Sequence, residues 1–304
     1  MLNDQEAIQA AIQKHLKEKI TLFSFKGQGF CNNAYYLETQ EGNKYIVKQE
    51  KSVKEFHPQN SLLVEAAVAR QLYDSNLSIP TPKVIFTAEN PDIYGYYYID
   101  GDMLIDIWPS LSEQERIEIC SKLGHFHAEI GQKISKDMSK AINIKIDMSS
   151  GLHPEVEEEY NKILSSPNVP DDFKSLAKHA RKIFDQTLDK GIFQFIHNDS
   201  HHENIIIKNK KISGIIDFGN SEYGEIAKEF SRYIRDFPTY FKYIISSYEQ
   251  ASGHKLSMER LVTNALLSGL MEIILEYHKG GQEKTNAEKS ISTYRKMIDQ
   301  FKIK

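Results

Sequence analysis

The sequence predicts an α+β chain of two lobes: an N-terminal lobe of antiparallel sheet with helices and a mainly helical C-terminal lobe. Three observations carry this. The first hundred residues hold short β-rich runs broken by glycines and turns, whereas helical spacing dominates from Ser112 onward. The second part has one β-rich interruption, at 192–217. A chain of 304 residues with 40% hydrophobic content has enough apolar material for a core in each lobe. The boundary is drawn so that residues 1–99 form the first lobe and 100–304 the second.

Residues 4–18 place Ala7, Ile8, Ala11, Ile12 and His15 at helical spacing. Runs 22–25 and 34–39 flank a glycine pair, and the turn Glu41-Gly42-Asn43 separates the second run from 44–49, which reads as three antiparallel strands. Residues 61–76 form an amphipathic helix opened by Ser61. The prolines of SIPTPKV exclude helix interior, and two further strands follow at 84–87 and 94–99. Ser112 opens the next helix with a serine–glutamine capping pattern. Helices at 154–165, 171–190 and from about 225 to the end complete the second lobe, with the basic C-terminal tail packing on it. Segment 143–153 shows no pattern and reads as an insertion or a mobile loop.

Bulk properties exclude several classes. The net charge of −4 gives no basic footprint, so nucleic acid is not an expected partner. No run approaches the 18 apolar residues of a membrane span, and the N-terminus has no apolar signal region. Cys31 and Cys120 are far apart and outside any CxxC pattern, which suits a reducing, cytoplasmic setting. Nothing fixes an oligomeric state.

The chemistry concentrates in FIHNDSHHENIIIKNKKISGIIDFGNSEYGE. His197-x-Asp199 is followed by Asn204 and then by Asp217-Phe218-Gly219. An apolar hairpin between the last two would bring Asn204 and Asp217 to one end of paired strands, with Asp199 on the loop before them. Phosphoryl transfer needs such a set: a carboxylate to take the proton of an attacking hydroxyl, and hard oxygen ligands for Mg²⁺ on the phosphates. The histidines His197, His201 and His202 would alternatively fit a zinc site, but that leaves Asn204 and the Asp-Phe-Gly unexplained.

H-x-D-x-x-x-x-N followed by D-F-G resembles the catalytic and metal loops of the protein-kinase superfamily. The fuller H-x-D-x-H-x-x-N, with His201 where protein kinases usually carry lysine, is similar to the aminoglycoside phosphotransferase and choline kinase group, nearest the 2″-type enzymes. Neither an Ala-Pro-Glu motif nor a long activation segment follows. The resemblance spans about residues 20–235 and implies a bilobal, protein-kinase-like fold. It implies Asp199 as catalytic base, Asn204 and Asp217 as Mg²⁺ ligands, His197 as a loop-orienting residue, and ATP or GTP as co-substrate.

The first lobe should then hold the nucleotide. Gly27-x-Gly29 sits where a glycine loop would cover the phosphates, although a Gly-x-Gly hairpin turn looks the same and Asn32 stands where a third glycine would fall. Lys48 in YIVK matches the phosphate-binding lysine, with Glu65 as its helix partner ahead of Glu50; a solvated strand lysine is the plainer alternative. Tyr97 and Ile99 fall at the interlobe hinge, where the Tyr97 C=O and the Ile99 N–H would bond the base and Tyr96 would wall its pocket.

The acceptor is expected to be a small molecule bearing a hydroxyl, most simply an aminoglycoside-like aminosugar. Kinases of choline, homoserine, methylthioribose, macrolides and fructosamines share these parts, and fold does not fix substrate. Glu222, Glu225 and Glu229 would bind a cationic acceptor, as would Glu155 and Glu157 to Glu159, although a Glu run is more often a solvated helix face. Asn220 and Glu225-Ile226 depart from the usual G-D-A-x-x-G-D-P pattern. A non-catalytic nucleotide-binding module and a protein kinase remain the rival classes.

Overall fold

A computed structural model describes residues 4–28, 32–51, 61–89, 92–269 and 281–300. The chain forms two compact units, each gathered from separate stretches. The first unit comprises Met1–Leu111, Lys140–Lys145 and Glu203–Ser221. It opens with α1 (Asp4–Gln13), then β1 (Ile20–Gln28), β2 (Asn32–Thr39) and β3 (Lys44–Glu50). Helix α2 (Leu62–Asp74) precedes β4 (Val84–Ala88) and β5 (Ile93–Tyr97). These strands make an antiparallel sheet in the order β1-β2-β3-β5-β4.

Alternation along the strands gives the sheet two apolar faces. Tyr35, Leu37, Tyr45, Val47 and Ile93 meet Ile8 and Ile12 of α1 on one face. Ile46, Tyr94 and Tyr96 meet Leu62 and Ala66 of α2 on the other. Lys48, two residues after Ile46, shares the α2 face. Ser61 caps α2 as expected, its hydroxyl accepting from the Val64 N–H at 3.3 Å. Helix α1 stops at Gln13, short of the expected residue 18. The Gln13 side chain donates to Leu16 O and Glu18 O and accepts from the Ile20 N–H, which fixes the chain's exit into β1.

Past β5 come β6 (Asp102–Met103) and the short α3 (Leu104–Ile107). Strand β6 joins β8 (Ile205–Lys208) and β9 (Lys211–Ile215) in a three-stranded sheet, so the hairpin rich in chemistry belongs to the first unit. Gly101, at φ +142°, permits this pairing: a side chain there would stand 2.4 Å from Ile207 O.

The second unit comprises Ser112–Ser139, Ile146–His202 and Glu222–Lys304. Its helices are α4 (Glu113–Lys133), α6 (Pro154–Ser165), α7 (Asp171–Asp185), α8 (Ile226–Asp236), α9 (Phe241–Ser252), α10 (Met258–Ser268) and α11 (Gly281–Gln300). The short α5 (Lys136–Ala141) follows α4, and β7 (Phe193–Ile196) pairs antiparallel with β10 (Glu222–Glu225). Ser112 caps α4 in a full capping box, but the reciprocal acceptor is Glu115, because Gln114 lies one residue too early to reach back. Helix α11 packs on α10 through a stripe holding Ile291, Tyr294 and Met297, as expected of the tail. No helix among the described residues is long and apolar enough to cross a membrane.

The loop reading of 143–153 is corrected in part. Ile146 forms a parallel bridge with Tyr223, the Asp147 N–H donates to Tyr223 O at 2.9 Å, and Lys228 Nζ bonds Asp147 at 2.7 Å. Arg260 donates to Ser150 O. The anchors lie about 75–110 residues downstream, where local periodicity cannot register them.

Close helix packing in this unit rests on Gly124. A Cβ there would stand 2.1 Å from Ile244 O on α9. Gly124→Ala is expected to destabilise the protein by about 1–3 kcal/mol through overpacking, measured by urea unfolding.

Candidate active site

The first unit builds a buried ion cluster on β3. Lys48 Nζ donates to Glu65 Oε1 at 2.7 Å and to Asp217 Oδ1 at 2.8 Å. The Tyr94 hydroxyl donates to the same Glu65 oxygen at 2.7 Å. Register explains the grouping: Lys48 lies opposite Tyr94 in the β3–β5 ladder, and α2 brings Glu65 onto that face. Burial alone would lower the Lys48 pKa, but the Asp217 and Glu65 carboxylates raise it above the ordinary lysine value. Lys48 is therefore a fixed ammonium. Glu50, the other candidate partner in the sequence, continues β3 beyond the cluster.

The β8–β9 hairpin presents the two expected metal ligands. Ile205 pairs with Ile215, and the Ile216 N–H donates to Asn204 O at 3.0 Å, which sets Asn204 and Asp217 at one end of the strand pair. Asp217 has φ +67°, a left-handed conformation uncommon for a non-glycine residue. Strain of this kind gathers at functional sites. Among the described residues no group of three or more His, Cys, Asp or Glu could hold a metal alone. Mg²⁺ takes one or two carboxylates together with water and phosphate oxygens. Asn204 and Asp217 fit such a role, and Lys48 would share Asp217 with it.

The hinge residues separate. Tyr97 ends β5 with an exposed side chain, its N–H donating to Lys83 O at 3.2 Å. Ile99 packs on β9, where Gly214 makes room: a Cβ there would stand 2.8 Å from Ile99 Cδ1. Tyr96 is buried beside Tyr94, their rings 5.7 Å apart. Gly27 lies on β1 opposite Ala34 at a register shift, and Gly29 lies outside the described residues.

In the second unit, Asp199 sits on a loop held from beneath. The Asp199 N–H donates to His197 Nδ1 at 3.2 Å, consistent with the loop-orienting part expected of that histidine. Asn198, at φ +62°, turns its N–H to Glu229 Oε2 at 2.6 Å, and the Ser200 hydroxyl donates to Glu229 Oε1. Burial would raise the Glu229 pKa, but the imidazoles of His127 and His197 and the Ser200 and Asn198 donors outweigh it, leaving the carboxyl below its ordinary range. His127 Nε2 shares a 2.7 Å hydrogen bond with the Tyr233 hydroxyl. Its Nδ1 has no hydrogen-bond partner and stands 3.9 Å from Glu229 Oε2. Arg232 Nη2 lies 3.5 Å and His201 Nε2 3.8 Å from Asp199 Oδ1.

The carboxylates expected to meet a cationic acceptor are engaged inside this unit. Glu222, Glu225 and Glu229 are only 1%, 2% and 0% exposed. Lys228 Nζ bonds Glu222 at 2.8 Å, and Arg260 grips Glu225 with two hydrogen bonds of 2.7 and 2.6 Å. Glu229 carries the Asp199 loop. These contacts give all three a scaffolding part, and the amine-binding expectation for them is withdrawn. Helix α6 carries the other acidic run, where Glu157 pairs with Arg181 and Glu158 and Glu159 with Lys162.

Sequence reasoning missed Tyr94, His127, Ser200 and Arg232. Tyr94 had a faint signal in its alternation with Tyr96. Ser200 stood inside the motif as an unspecified position. His127 and Arg232 looked like ordinary helix residues, because their partners are distant in sequence.

The sequence matches the phosphotransferase enzyme family over residues 24–251. The antiparallel sheet of the first unit and the helices of the second share the fold of solved aminoglycoside and macrolide phosphotransferases. The chain belongs to the phosphotransferase enzyme family. Among solved structures it resembles the streptomycin–ATP complex of APH(2″)-IIa, with a TM-score of 0.63 and 19% identity over 90% of this chain and 91% of that one. It also resembles the GDP complex of aminoglycoside 2′-phosphotransferase-IIIa, with a TM-score of 0.69 and 11% identity over 98% and 99%. Macrolide 2′-phosphotransferase MphH from Brachybacterium faecium gives 0.66 and 13% over 93% and 96%. No curated protein matches the sequence.

The buried imidazole sets a pH dependence. Burial pushes the His127 pKa down to about 4, below the ordinary value of 6.5. Between those values the unfolded chain takes up a proton that the folded one refuses, so stability falls as pH falls. The slope due to this ring approaches about 1.4 kcal/mol per pH unit. Urea unfolding between pH 7 and 5 is expected to show it, and His127→Phe is expected to remove it.

Proposed function

We propose that the protein transfers the γ-phosphoryl group of ATP or GTP to a hydroxyl of a small molecule. The observation that carries this is the Lys48 ammonium held between Glu65 and Asp217. That arrangement would set a fixed positive charge against the α- and β-phosphates of a bound nucleotide, and Asp217 and Asn204 would hold Mg²⁺. Residues 1–99 would supply most nucleotide contacts, with Gly27 and Gly29 over the phosphates and the Tyr97 C=O and Ile99 N–H on the base. Residues 100–304 would supply the base and the acceptor site. The complexes of related folds with ATP and GDP support a nucleotide co-substrate, and a cytoplasmic setting would provide it.

In the reaction, Asp199 accepts the proton as the acceptor O–H bond breaks. The acceptor oxygen forms a bond to the γ-phosphorus while the bond to the nucleoside diphosphate breaks, so diphosphate leaves with the electron pair. Mg²⁺, when bound, neutralises charge on the phosphates. Lys48 holds the non-transferred phosphates, and the Glu229 network keeps the Asp199 loop from shifting.

Solved complexes of related folds with streptomycin, gentamicin and kanamycin support an aminosugar acceptor. Their identities of 13–19% carry the fold and not the substrate. A second reading, a different small hydroxyl metabolite, is favoured by the burial of Glu222, Glu225 and Glu229.

The test is nucleotide consumption with an acceptor panel. Asp199→Asn is expected to reduce turnover by about 10²–10⁴-fold while nucleotide binding, followed with a fluorescent analogue, stays within threefold. Binding with no acceptor turned over by the wild-type chain would instead mark a non-catalytic module. Substituting Tyr96 with Phe is expected to change the ATP-to-GTP affinity ratio, which the same titration reads.

A further inference from the structure

Both ends of helix α8 hold the loop that carries Asp199. Glu229 lies in the first turn of the helix and Asp236 is its last residue, seven positions on, which sets the two on one face. Glu229 accepts from the Asn198 N–H at 2.6 Å and from the Ser200 hydroxyl. Asp236 Oδ2 meets His202 Nδ1 at 2.9 Å. The anchors stand about 10 Å apart along the helix, and the loop between them makes one tight turn, with the His201 N–H donating to Asp199 O at 2.8 Å.

The second anchor is well defined. The Asp236 side chain is only 5% exposed and that of His202 28%. Burial would raise the Asp236 pKa, but the His202 hydrogen bond and the Arg235 guanidinium, whose Nε is 3.3 Å from Oδ1, leave the carboxyl below its ordinary range. An ionised carboxylate only accepts, so Nδ1 of His202 is the donor. The His202 ring stands edge to face with Phe237 and His201, at centroid distances of 6.4 and 6.2 Å. His201 Nε2 in turn lies 3.8 Å from Asp199 Oδ1. A charged pair of this kind adds little net stability over an apolar pair of the same volume, but it fixes direction. Direction matters here, because a reacting group displaced by about 1 Å can lose about 10²-fold in rate.

We propose that Asp236 is a positioning residue for the phosphoryl transfer: by holding His202 it fixes the turn at 199–202 and with it the carboxylate of Asp199. This rests on the reading of Asp199 as the base. Asp236 acts only through the loop, and Glu229 alone, which ties the residues on either side of Asp199, does not set the end of the turn.

The full chain is compared with His202→Leu, His202→Asn and the double variant His202→Leu/Asp236→Leu, in MgATP or MgGTP consumption with water and with the acceptor panel. His202→Leu is expected to lower kcat about 10–100-fold while the nucleotide KM changes less than about threefold. His202→Asn, whose Nδ2 can donate from the place of Nδ1, should keep kcat within about threefold. The double variant leaves no buried carboxylate unpaired, so it should regain the thermal stability lost in His202→Leu but not the kcat. Hydrogen exchange over 197–202 should quicken in His202→Leu and in the double variant and stay unchanged in His202→Asn. A kcat that returns with stability in the double variant, a His202→Asn as slow as His202→Leu, or exchange unchanged in His202→Leu overturns the proposal. The wild-type chain judges the kinase reading separately, through nucleotide consumption that Asp199→Asn abolishes. If that holds while His202→Leu keeps its kcat, the proposal falls and the kinase reading stands; if the wild-type chain consumes no nucleotide, both fall.

Discussion

A buried lysine cannot lose its buried carboxylate partner cheaply. Lys48 reaches Glu65 and Asp217 at 2.7 and 2.8 Å. The Glu65 pair is buried on both sides, and removing one partner of such a pair typically costs about 3–5 kcal/mol because a charge is left without compensation, whereas the Asp217 side chain is 42% exposed and reaches water. The requirement ties three distant parts of the chain together. Strand β3 supplies the ammonium, α2 must pack so that Glu65 faces it, and the β8–β9 hairpin must deliver Asp217 from 169 residues away. The Tyr94 hydroxyl on Glu65 limits the positions its carboxylate can take. A net attraction of this kind is weak evidence for stability, but it specifies one geometry.

The second unit repeats the logic with a different charge. Glu229 is fully buried and satisfied by a backbone N–H and a hydroxyl from the loop carrying Asp199. In both units a residue next to or within the reacting set adopts positive φ: Asp217 in the first and Asn198 in the second. Strain of about 1–3 kcal/mol at each is sustained by the buried hydrogen bonds around it. The acidic residues after the metal loop, which in the sequence alone resemble a cation site, instead secure β10, α8 and the segment around Asp147 and Ser150.

How much of this was legible in the sequence depended on distance along the chain. Strand alternation and the Ser61 cap act over a few residues, so the N-terminal sheet and α2 could be read closely. The string from His197 to Gly219 holds a loop and a hairpin in one stretch, so Asn204 and Asp217 could be placed at one end of two paired strands. Tyr94 left only its alternation with Tyr96 in the sequence, because its role depends on the register that sets it across from Lys48. The burial of Glu222, Glu225 and Glu229 was equally hidden. A glutamate reads as surface until its partner is known, and Arg260 lies 35 residues from Glu225. The anchoring of residues 146–150 failed to show for the same reason.

On the proposed function, Lys48 and Glu65 act as one unit in holding the nucleotide. A double-mutant cycle measures this most directly, with Lys48→Met, Glu65→Gln and the double variant each titrated with a fluorescent ATP or GTP analogue in the presence of Mg²⁺. Strong coupling is expected: each single change weakens binding, and the second adds little once the first is made. Additive losses, or a Glu65→Gln that leaves affinity unchanged, would contradict it.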